Sequence, residues 1–197
     1  MRIIAGTAKG TKLTAPHGTA TRPTADRMKE DLFNILTAER SGLNGLNGLK
    51  GIAFLDLYCG SGQMGIEALS RGAKTAVFVD SSDAAISATK ANLQKAKLTD
   101  KATILKMPIK SAFSNNQLLS QKYDVIFMDP PYQSQQIPMA IGYVTANNLL
   151  SANGILIAEC PANLILPNFA AITQYRTKKY TQMQFVFYTQ QRQSTEN

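Results

Sequence analysis

Three aspartates stand at or near the ends of apolar runs that predict β-strands, and together they suggest one binding site. Asp56 precedes a glycine-rich stretch, Asp80 closes the run VFVD, and Asp129 follows the run VIFM. In open α/β sheets, ligands bind outside the carboxyl ends of the strands. We therefore expect the three carboxylates to lie on one rim of a sheet, where they can accept hydrogen bonds from amines, ammonium groups and hydroxyls.

The stretch after Asp56 predicts a glycine-rich turn between a strand and a helix. Gly60, Gly62 and Gly65 match the pattern G-x-G-x-x-G, in which backbone N–H groups and a helix N-terminus face the ligand. A fixed negative charge at Asp56 disfavours the pyrophosphate of a dinucleotide, whereas Asp80 can accept hydrogen bonds from both hydroxyls of a ribose. A ligand with a ribose and an amino-acid ammonium group is S-adenosylmethionine, which we expect as the cofactor.

A plainer interpretation of the first two aspartates stays open. Asp56 is suited to cap a helix or a turn, and Asp80 is suited to cap a helix that begins near Ser82 or Asp83. Capping alone does not explain why both acids flank a G-x-G turn at strand ends, so a shared ligand is the favoured interpretation.

The run DPPY at 129–132 combines one carboxylate with two prolines and an aromatic ring. Prolines donate no backbone hydrogen bond and fix φ, so Pro130 and Pro131 end the strand and hold a stiff corner. There Asp129 and the carbonyl of Pro130 can accept hydrogen bonds from a nucleobase NH2 group and direct its lone pair at an electrophilic methyl group. Tyr132 can stack on the base, which is worth about 1–3 kcal/mol. The plainer interpretation is a strand terminator followed by a core tyrosine.

The elements that position these residues alternate along the chain from Ile52 onward. Short apolar runs alternate with helical patterns, which indicates an α/β fold with a mostly parallel sheet. After Cys160 two runs are separated by too few residues for a crossover helix, so they predict an antiparallel hairpin. The predicted strands are 52–57, 75–79, 103–105, 123–128, 154–158, 172–180 and 183–191, and the predicted helices are 63–71, 83–97, 110–119 and 138–150.

Composition narrows the class of protein. The 197 residues suffice for one domain with a small appendage, and 21 Lys and Arg against 13 Asp and Glu give a net charge of +8, which favours a polyanionic partner. His17 is the only histidine, and Cys59 and Cys160 stand in no metal-binding spacing, so we expect no metal site. No signal peptide or membrane-spanning run is visible, so we expect a cytoplasmic protein without a membrane partner.

The first fifty residues differ in pattern from the rest. RIIAG and TKLTAP flank the basic turn TAKG, and a helix is predicted from a cap at Thr24 to about Glu39. Its one apolar side should dock on the sheet domain and is formed by Met28, Leu32, Phe33, Ile35 and Leu36. We therefore divide the chain into an N-terminal extension at 1–50 (hairpin, loop and helix), a main domain at 51–190 and a flexible tail at 191–197.

These stretches resemble one known family. DPPY resembles the (Asp/Asn)-Pro-Pro-(Tyr/Phe) motif of S-adenosylmethionine-dependent amino-methyltransferases, and LDLYCGSG resembles their cofactor loop. More narrowly, the chain resembles the bacterial RsmD-type methyltransferases, which modify the N2 amine of a guanine in 16S ribosomal RNA, at guanine 966, during small-subunit assembly. The stretches that carry this resemblance, in chain order, are MRIIAGTAKGTKL, RPTADRMKEDLFNIL, FLDLYCGSGQMGIEALSRGA and DVIFMDPPY.

The resemblance implies a fold and a partner. The fold would be a Rossmann-like, class I S-adenosylmethionine-dependent methyltransferase with a mostly parallel seven-stranded sheet that ends in an antiparallel hairpin. The partner would be 16S ribosomal RNA or the assembling small subunit, and we expect the protein to act as a monomer.

The resemblance also implies a role for each residue of the motifs. The target guanine would be held by the catalytic residues Asp129, Pro130, Pro131 and Tyr132. The cofactor would lie against Asp56, Tyr58, Gly60, Ser61, Gly62, Asp80 and Ser81. The RNA would contact Arg22, Pro23, Thr24 and Arg27 near the substrate mouth, and Lys9 and Lys12 on the N-terminal hairpin.

Two positions depart from the family pattern. At 107–109 the chain has Met-Pro-Ile, where many relatives carry an acidic or amide residue that binds adenine N6. We therefore expect backbone groups and apolar contacts to hold the adenine. Asp80 stands where the longer Glu is common, which shortens the reach of the carboxylate but keeps its chemistry.

Three other functions would use parts of the same sequence pattern. A DNA adenine or cytosine amino-methyltransferase shares the motif at 129–132, but this chain has little length for a segment that reads base edges in a groove. A dinucleotide-binding oxidoreductase would use the glycine pattern, but Asp56 and the corner at Asp129 argue against it. An RNA-binding protein that has lost catalysis is disfavoured by the intact Asp129.

Overall fold

The structure of the protein is a computed structural model that describes residues 1–15, 23–42, 49–130 and 135–190, with the backbone alone described at 23–25 and 39–42. Within these ranges the helices are α1 Pro23–Gly42, α2 Gln63–Ser70, α3 Asp83–Ala96, α4 Ile109–Ala112, α5 Asn116–Leu119 and α6 Gln136–Ala146. The strands are β1 Ala53–Leu57, β2 Thr75–Asp80, β3 Ala102–Lys106, β4 Tyr123–Met128, β5 Leu150–Pro161, β6 Ile172–Lys179 and β7 Met183–Gln190. None of these helices is long and apolar enough to cross a membrane.

The seven strands form one sheet in the order β3-β2-β1-β4-β5-β7-β6. β1 pairs in parallel with β2 and β4, which pair in parallel with β3 and β5. β7 runs antiparallel to both of its neighbours, β5 and β6. The predicted mostly parallel sheet with an antiparallel hairpin at its end is confirmed. The chain reverses its winding direction between β1 and β4, which opens a crevice at the carboxyl ends of these strands.

Apolar side chains are buried on both faces of the sheet, because helices cover a mostly parallel sheet on both sides. One core contains Leu32 and Phe33 of α1 together with apolar residues of α2 and α3. The other core contains Ile109 of α4, Leu118 of α5 and Ile141 of α6. The first helix therefore docks on the sheet with the predicted apolar side, and Leu32 and Phe33 are fully buried.

A short hairpin at the N-terminus is fastened to α2. Its two arms meet in an antiparallel bridge between Arg2 and Lys12. The carboxylate of Glu67 in α2 accepts the N–H of Ile4 at 2.8 Å and the N–H of Ala5 at 3.1 Å. Because Glu67 is fully buried, these hydrogen bonds also satisfy a charge that would be costly without partners.

Two cations balance the buried Glu67 carboxylate. The Arg71 Nε donates to it at 2.7 Å, and the Lys29 Nζ lies 3.6 Å from it. Lys29 also donates to the carbonyl of Arg2 at 2.6 Å, which joins α1 to the hairpin. Burial lowers the pKa of Lys29, and the negative charge of Glu67 opposes that shift. The hairpin, α1 and α2 thus meet at one buried ion cluster.

The single helix expected at 110–119 is two short helices, α4 and α5. The Asn115 side chain accepts the N–H of Gln117 at 2.9 Å and the N–H of Leu118 at 3.2 Å. Asparagine side chains favour this capping geometry over a position inside a helix. Asn115 therefore starts a new helix where periodicity alone predicts a continuous one.

Two helix ends also differ from the predictions. α1 begins at Pro23, so Thr24 lies in its first turn rather than before it. Proline suits the first helical position, because its missing N–H would have no partner there. The helix expected to reach Leu150 ends at Ala146, and β5 begins at Leu150.

Helix α2 approaches β2 very closely at Gly65. A Cβ atom at Gly65 would lie 2.4 Å from Cε1 of Phe78, whose ring is fully buried. Glycine therefore permits the close packing of the helix that follows the glycine turn. Gly142 in α6 is the opposite case, because a Cβ atom there would meet no atom within 4 Å.

We expect Gly65→Ala to lower the free energy of unfolding by about 1–3 kcal/mol, because the added methyl group must displace the Phe78 ring or the helix. Gly142→Ala is the matched control, and it should raise the free energy of unfolding by up to about 1 kcal/mol, since a helix favours alanine over glycine. Urea unfolding of the parent and both variants measures the difference. Equal midpoints for the two variants would contradict the close packing of α2.

Candidate active site

A cleft of about 940 Å³ opens at the carboxyl ends of β1, β2, β4 and β5. Its walls include Tyr58 and Gly60 after β1, Asp80 at the end of β2, Asp129 after β4 and Glu159 near the end of β5. The parallel strands thus bring residues from four parts of the sequence to one rim.

The turn between β1 and α2 has a backbone that few residue types adopt readily. Its φ is +73° at Gly62, in the left-handed region that favours glycine, and a Cβ atom there would also lie 2.9 Å from Cγ2 of Thr89. Tyr58 adopts a φ of 60° despite its large side chain. The Gly62 N–H donates to the carbonyl of Cys59 at 2.7 Å and closes the turn.

Asp80 fastens this turn to the end of β2. Its Oδ2 accepts the N–H of Gly60 at 3.0 Å, and its Oδ1 accepts the N–H of Ser82 at 2.9 Å. Each carboxylate oxygen has a further lone pair, so both can still accept hydroxyl groups from a ligand. Four residues predicted to bind the cofactor line the cleft together, namely Tyr58, Gly60, Asp80 and Ser81.

Among the residues that the structure describes, the lining of the cleft lacks three other predicted cofactor residues, namely Asp56, Ser61 and Gly62. Asp56 is 1% exposed and accepts the N–H of Gly65 at 2.9 Å. Burial raises the pKa of Asp56 well above its usual range, and the hydrogen bond from Gly65 opposes the rise. Ser61 is also buried, and its carbonyl accepts the Asn92 side-chain amide at 2.9 Å. The contact of Asp56 is the one expected from the capping interpretation, with the carboxylate beneath the turn.

Asp129 and Pro130 line the cleft directly after β4, whereas Pro131 and Tyr132 lie outside the described residues. The Asp129 side chain is open to the cleft, but the surrounding protein limits its access to bulk water. This desolvation raises the pKa of Asp129 to about 6. A carboxyl group with such a pKa can both accept hydrogen bonds and take up a proton near neutral pH.

Glu159 is a cleft residue that the sequence analysis missed. Ala158 of β5 pairs with Met128 of β4, so Glu159 and Asp129 are the next residues on adjacent parallel strands. Burial raises the pKa of Glu159 well above its usual range, and the negative charge of Asp129 raises it further. The signal was present in ILIAEC, where an acid follows an apolar run as it does at Asp80.

The residues predicted to contact RNA lie on the N-terminal hairpin and on or near α1. Lys9, Lys12 and Arg27 are exposed, and Lys9 and Arg27 line a depression between the hairpin and α1. Pro23 and Thr24 belong to the first turn of α1, described there by backbone alone, and Arg22 falls outside the described ranges.

The cleft offers an acidic wall and an apolar patch. Asp80, Asp129 and Glu159 form the acidic wall, Lys110 contributes a cation elsewhere on the lining, and the apolar patch is formed by Pro108 and Ile109. Such a surface suits a ligand with N–H and O–H donors, positive charge and a flat ring. Among the described residues, no group of three His, Cys, Asp or Glu side chains is arranged to hold a metal ion.

The chain is similar to known proteins over most of its length. A family model described as conserved hypothetical protein 95 matches residues 1–189. A candidate rRNA methyltransferase of Bacillus subtilis is 36% identical over 167 residues, which cover 85% of this chain and 86% of that protein. The ribosomal RNA small subunit methyltransferase D of Haemophilus influenzae is 33% identical over 159 residues, which cover 81% of this chain and 78% of that protein.

A solved structure agrees with these relationships. A candidate methyltransferase from Escherichia coli superimposes with a TM-score of 0.77 at 28% identity. The superposition covers 98% of this chain and 99% of that chain. The two proteins therefore share a fold from end to end.

The raised pKa of Asp129 predicts a stability that depends on pH. A carboxyl group whose pKa is higher in the folded state stabilises that state below its unfolded pKa, and the contribution is lost as the pH rises through about 6. We expect Asp129→Asn, which cannot ionise, to exceed the parent in stability by about 1 kcal/mol at pH 8, after allowance for screening in the open cleft. The difference should disappear towards pH 4.

Thermal unfolding between pH 4 and pH 8 measures this effect. Asp100→Asn is the control, because Asp100 is exposed in the 3₁₀ turn before β3, at the opposite edge of the sheet from the cleft. Asp100→Asn makes the same chemical change outside the cleft, so its stability difference from the parent is the baseline against which that of Asp129→Asn is compared. A less stable Asp129→Asn at pH 8 would contradict the desolvation of Asp129.

Proposed function

The chain belongs to the RsmD-type family of ribosomal RNA methyltransferases, and we propose that it transfers a methyl group from S-adenosylmethionine to the exocyclic N2 amine of a guanine in 16S ribosomal RNA. Its sheet is that of the class I methyltransferases. The proposal rests mainly on the corner at Asp129 and Pro130, whose acceptors share one cleft with Asp80 and Gly60. By family resemblance the target is guanine 966, modified in the cytoplasm during small-subunit assembly.

The residues of the cleft fit S-adenosylmethionine. Asp80 has lone pairs free for ribose hydroxyls, Pro108 and Ile109 provide apolar contact for adenine, and the acidic wall complements positive charge. Asp56 does not line the cleft but lies beneath the glycine turn. There it accepts the N–H of Gly65 and so fixes the first turn of α2. When bound, the cofactor supplies an electrophilic methyl group on a positively charged sulfur.

Asp129 and Pro130 orient the amine of the target base. The Asp129 carboxylate and the Pro130 carbonyl accept its two N–H groups, which leaves the nitrogen lone pair directed at the methyl group. The amine nitrogen loses one proton after the transfer. Asp129, with a pKa of about 6, is a suitable acceptor for that proton.

We assign the RNA contacts to the N-terminal extension, residues 1–50. Lys9, Lys12 and Arg27 are exposed there, and the net charge of the chain is +8. Cations of this kind bind phosphates and supply affinity and register rather than base choice. Arg22, Pro23 and Thr24 complete the proposed substrate mouth, and the protein acts as a monomer.

A DNA adenine or cytosine amino-methyltransferase is the second candidate. It is favoured by the corner at Asp129 and Pro130, which serves any exocyclic base amine equally well. A dinucleotide oxidoreductase is disfavoured, because an acidic wall repels pyrophosphate.

Transfer of labelled methyl groups tests the proposed function. The protein is incubated with S-adenosylmethionine labelled in its methyl group and with 16S ribosomal RNA from cells that lack the enzyme, either naked or in small-subunit particles. Nucleoside analysis should recover the label as N2-methylguanosine. Recovery as N6-methyladenosine would reject the guanine target, and label in DNA alone would support the second candidate.

Two variants should separate transfer from cofactor binding. Asp129→Ala should reduce the transfer rate by about 100-fold or more, since it removes an orienting acceptor, while the dissociation constant of the cofactor changes by less than about threefold. Asp80→Ala should weaken cofactor binding by about 10- to 100-fold, since charged hydrogen bonds are lost.

Calorimetric titration and single-turnover transfer measure the two effects. Asp100→Ala is the control and should change neither. Equal losses of binding and transfer in both variants would contradict the separate roles of Asp80 and Asp129.

A further inference from the structure

We propose that Glu159 selects guanine, an inference that rests on the proposed transfer to a guanine amine. Its carboxylate accepts the N1–H of the base whose N2 amine lies at Asp129. The corner at Asp129 and Pro130 cannot make this choice, because adenine, cytosine and guanine all present an NH2 group to it.

The inference rests on the pairing register of β4 and β5. Met128 pairs with Ala158, so Asp129, directly after β4, and Glu159, within β5, lie side by side, and both line the cleft. Neighbouring strands lie about 4.8 Å apart. Two carboxylates on neighbouring strands can converge on two adjacent donors of one base edge, which lie closer together than the strands do.

Guanine is the one common base that offers such a pair of donors. The ring nitrogen beside its exocyclic amine carries a hydrogen atom, whereas N1 of adenine and N3 of cytosine carry lone pairs. A carboxylate only accepts hydrogen bonds, and a bound guanine favours this ionised form of Glu159, because its N1–H supplies the donor that the half-buried carboxylate otherwise lacks among the described residues. Glu159 therefore attracts the N1–H of guanine and repels the other two bases, and a polar group left without its partner on binding the wrong base is costly.

The Glu159 carboxylate is available to accept a hydrogen bond from a base. Within the described ranges, no side-chain or backbone donor is hydrogen-bonded to its carboxylate, although the group is half-buried. The ionisable groups that interact with it are Asp129, Cys160 and Tyr180, and Lys110 lines the same cleft. A half-buried acceptor beside a second carboxylate needs a donor, and the base supplies one.

An RNA with 2-aminopurine at the target position tests the inference. This base keeps the N2 amine but carries a lone pair at N1. We expect the parent to favour guanine over 2-aminopurine by about 10- to 100-fold in kcat/KM, the range expected for one lost hydrogen bond to a charged group. Glu159→Gln should reduce that preference at least tenfold, because its amide can also donate to N1.

Two further variants complete the test. Glu159→Asp keeps an acceptor and should keep the preference for guanine at a lower rate, and Lys110→Gln on the same lining should leave the preference unchanged. Glu159→Gln should be at least as stable as the parent in thermal unfolding, since it removes a carboxylate that burial disfavours, so a lost preference cannot be attributed to misfolding.

The outcomes separate the inference from the proposed function. An unchanged preference in Glu159→Gln, or an equal loss of rate on both bases, overturns the role of Glu159 while guanine transfer stands. If the parent transfers no methyl group to guanine, the proposed function is wrong and the inference falls with it.

Discussion

The candidate active site depends on the position of β1 between β2 and β4, with all three strands running in the same direction. Parallel strands end at the same edge of a sheet, so side chains that are distant in sequence meet there. Asp80, Asp129 and Glu159 come together for this reason. The same geometry concentrates carboxyl groups on one wall, where desolvation raises the pKa of Asp129 and of Glu159, and the negative charge of Asp129 raises that of Glu159 further.

Strand register explains why two similar aspartates have different surroundings. Leu57 pairs with Val79, so Asp80 lies two residues further towards the carboxyl edge than Asp56 does. At about 3.3 Å per residue, this offset leaves Asp56 well below the rim. Asp56 therefore supports α2 from inside the molecule, whereas Asp80 joins the glycine turn and faces the cleft.

The sheet could be predicted from the sequence because buried strands read as continuous apolar runs. Asp80 and Asp129 could be placed on the rim because each closes or directly follows such a run. The depth of Asp56 could not, because it depends on a register that only the folded sheet defines. Glu159 was missed because the predicted strand ended at Ala158. The division of α4 from α5 was missed because it depends on the side-chain hydrogen bonds of Asn115 rather than on hydrophobic periodicity. The local sequence pattern thus predicts the strands and most helices. The arrangement of the site also depends on how strands pair with one another, which the local pattern does not contain.

The acidic wall of the cleft also governs what happens after the transfer. The methyl donor is a sulfonium cation, whereas the product that remains is a neutral thioether. Carboxylates at the rim attract the cation more strongly than the neutral product. The cleft therefore binds the thioether product more weakly than it binds the methyl donor. This difference favours replacement of the product by a new donor molecule when both compete for the cleft.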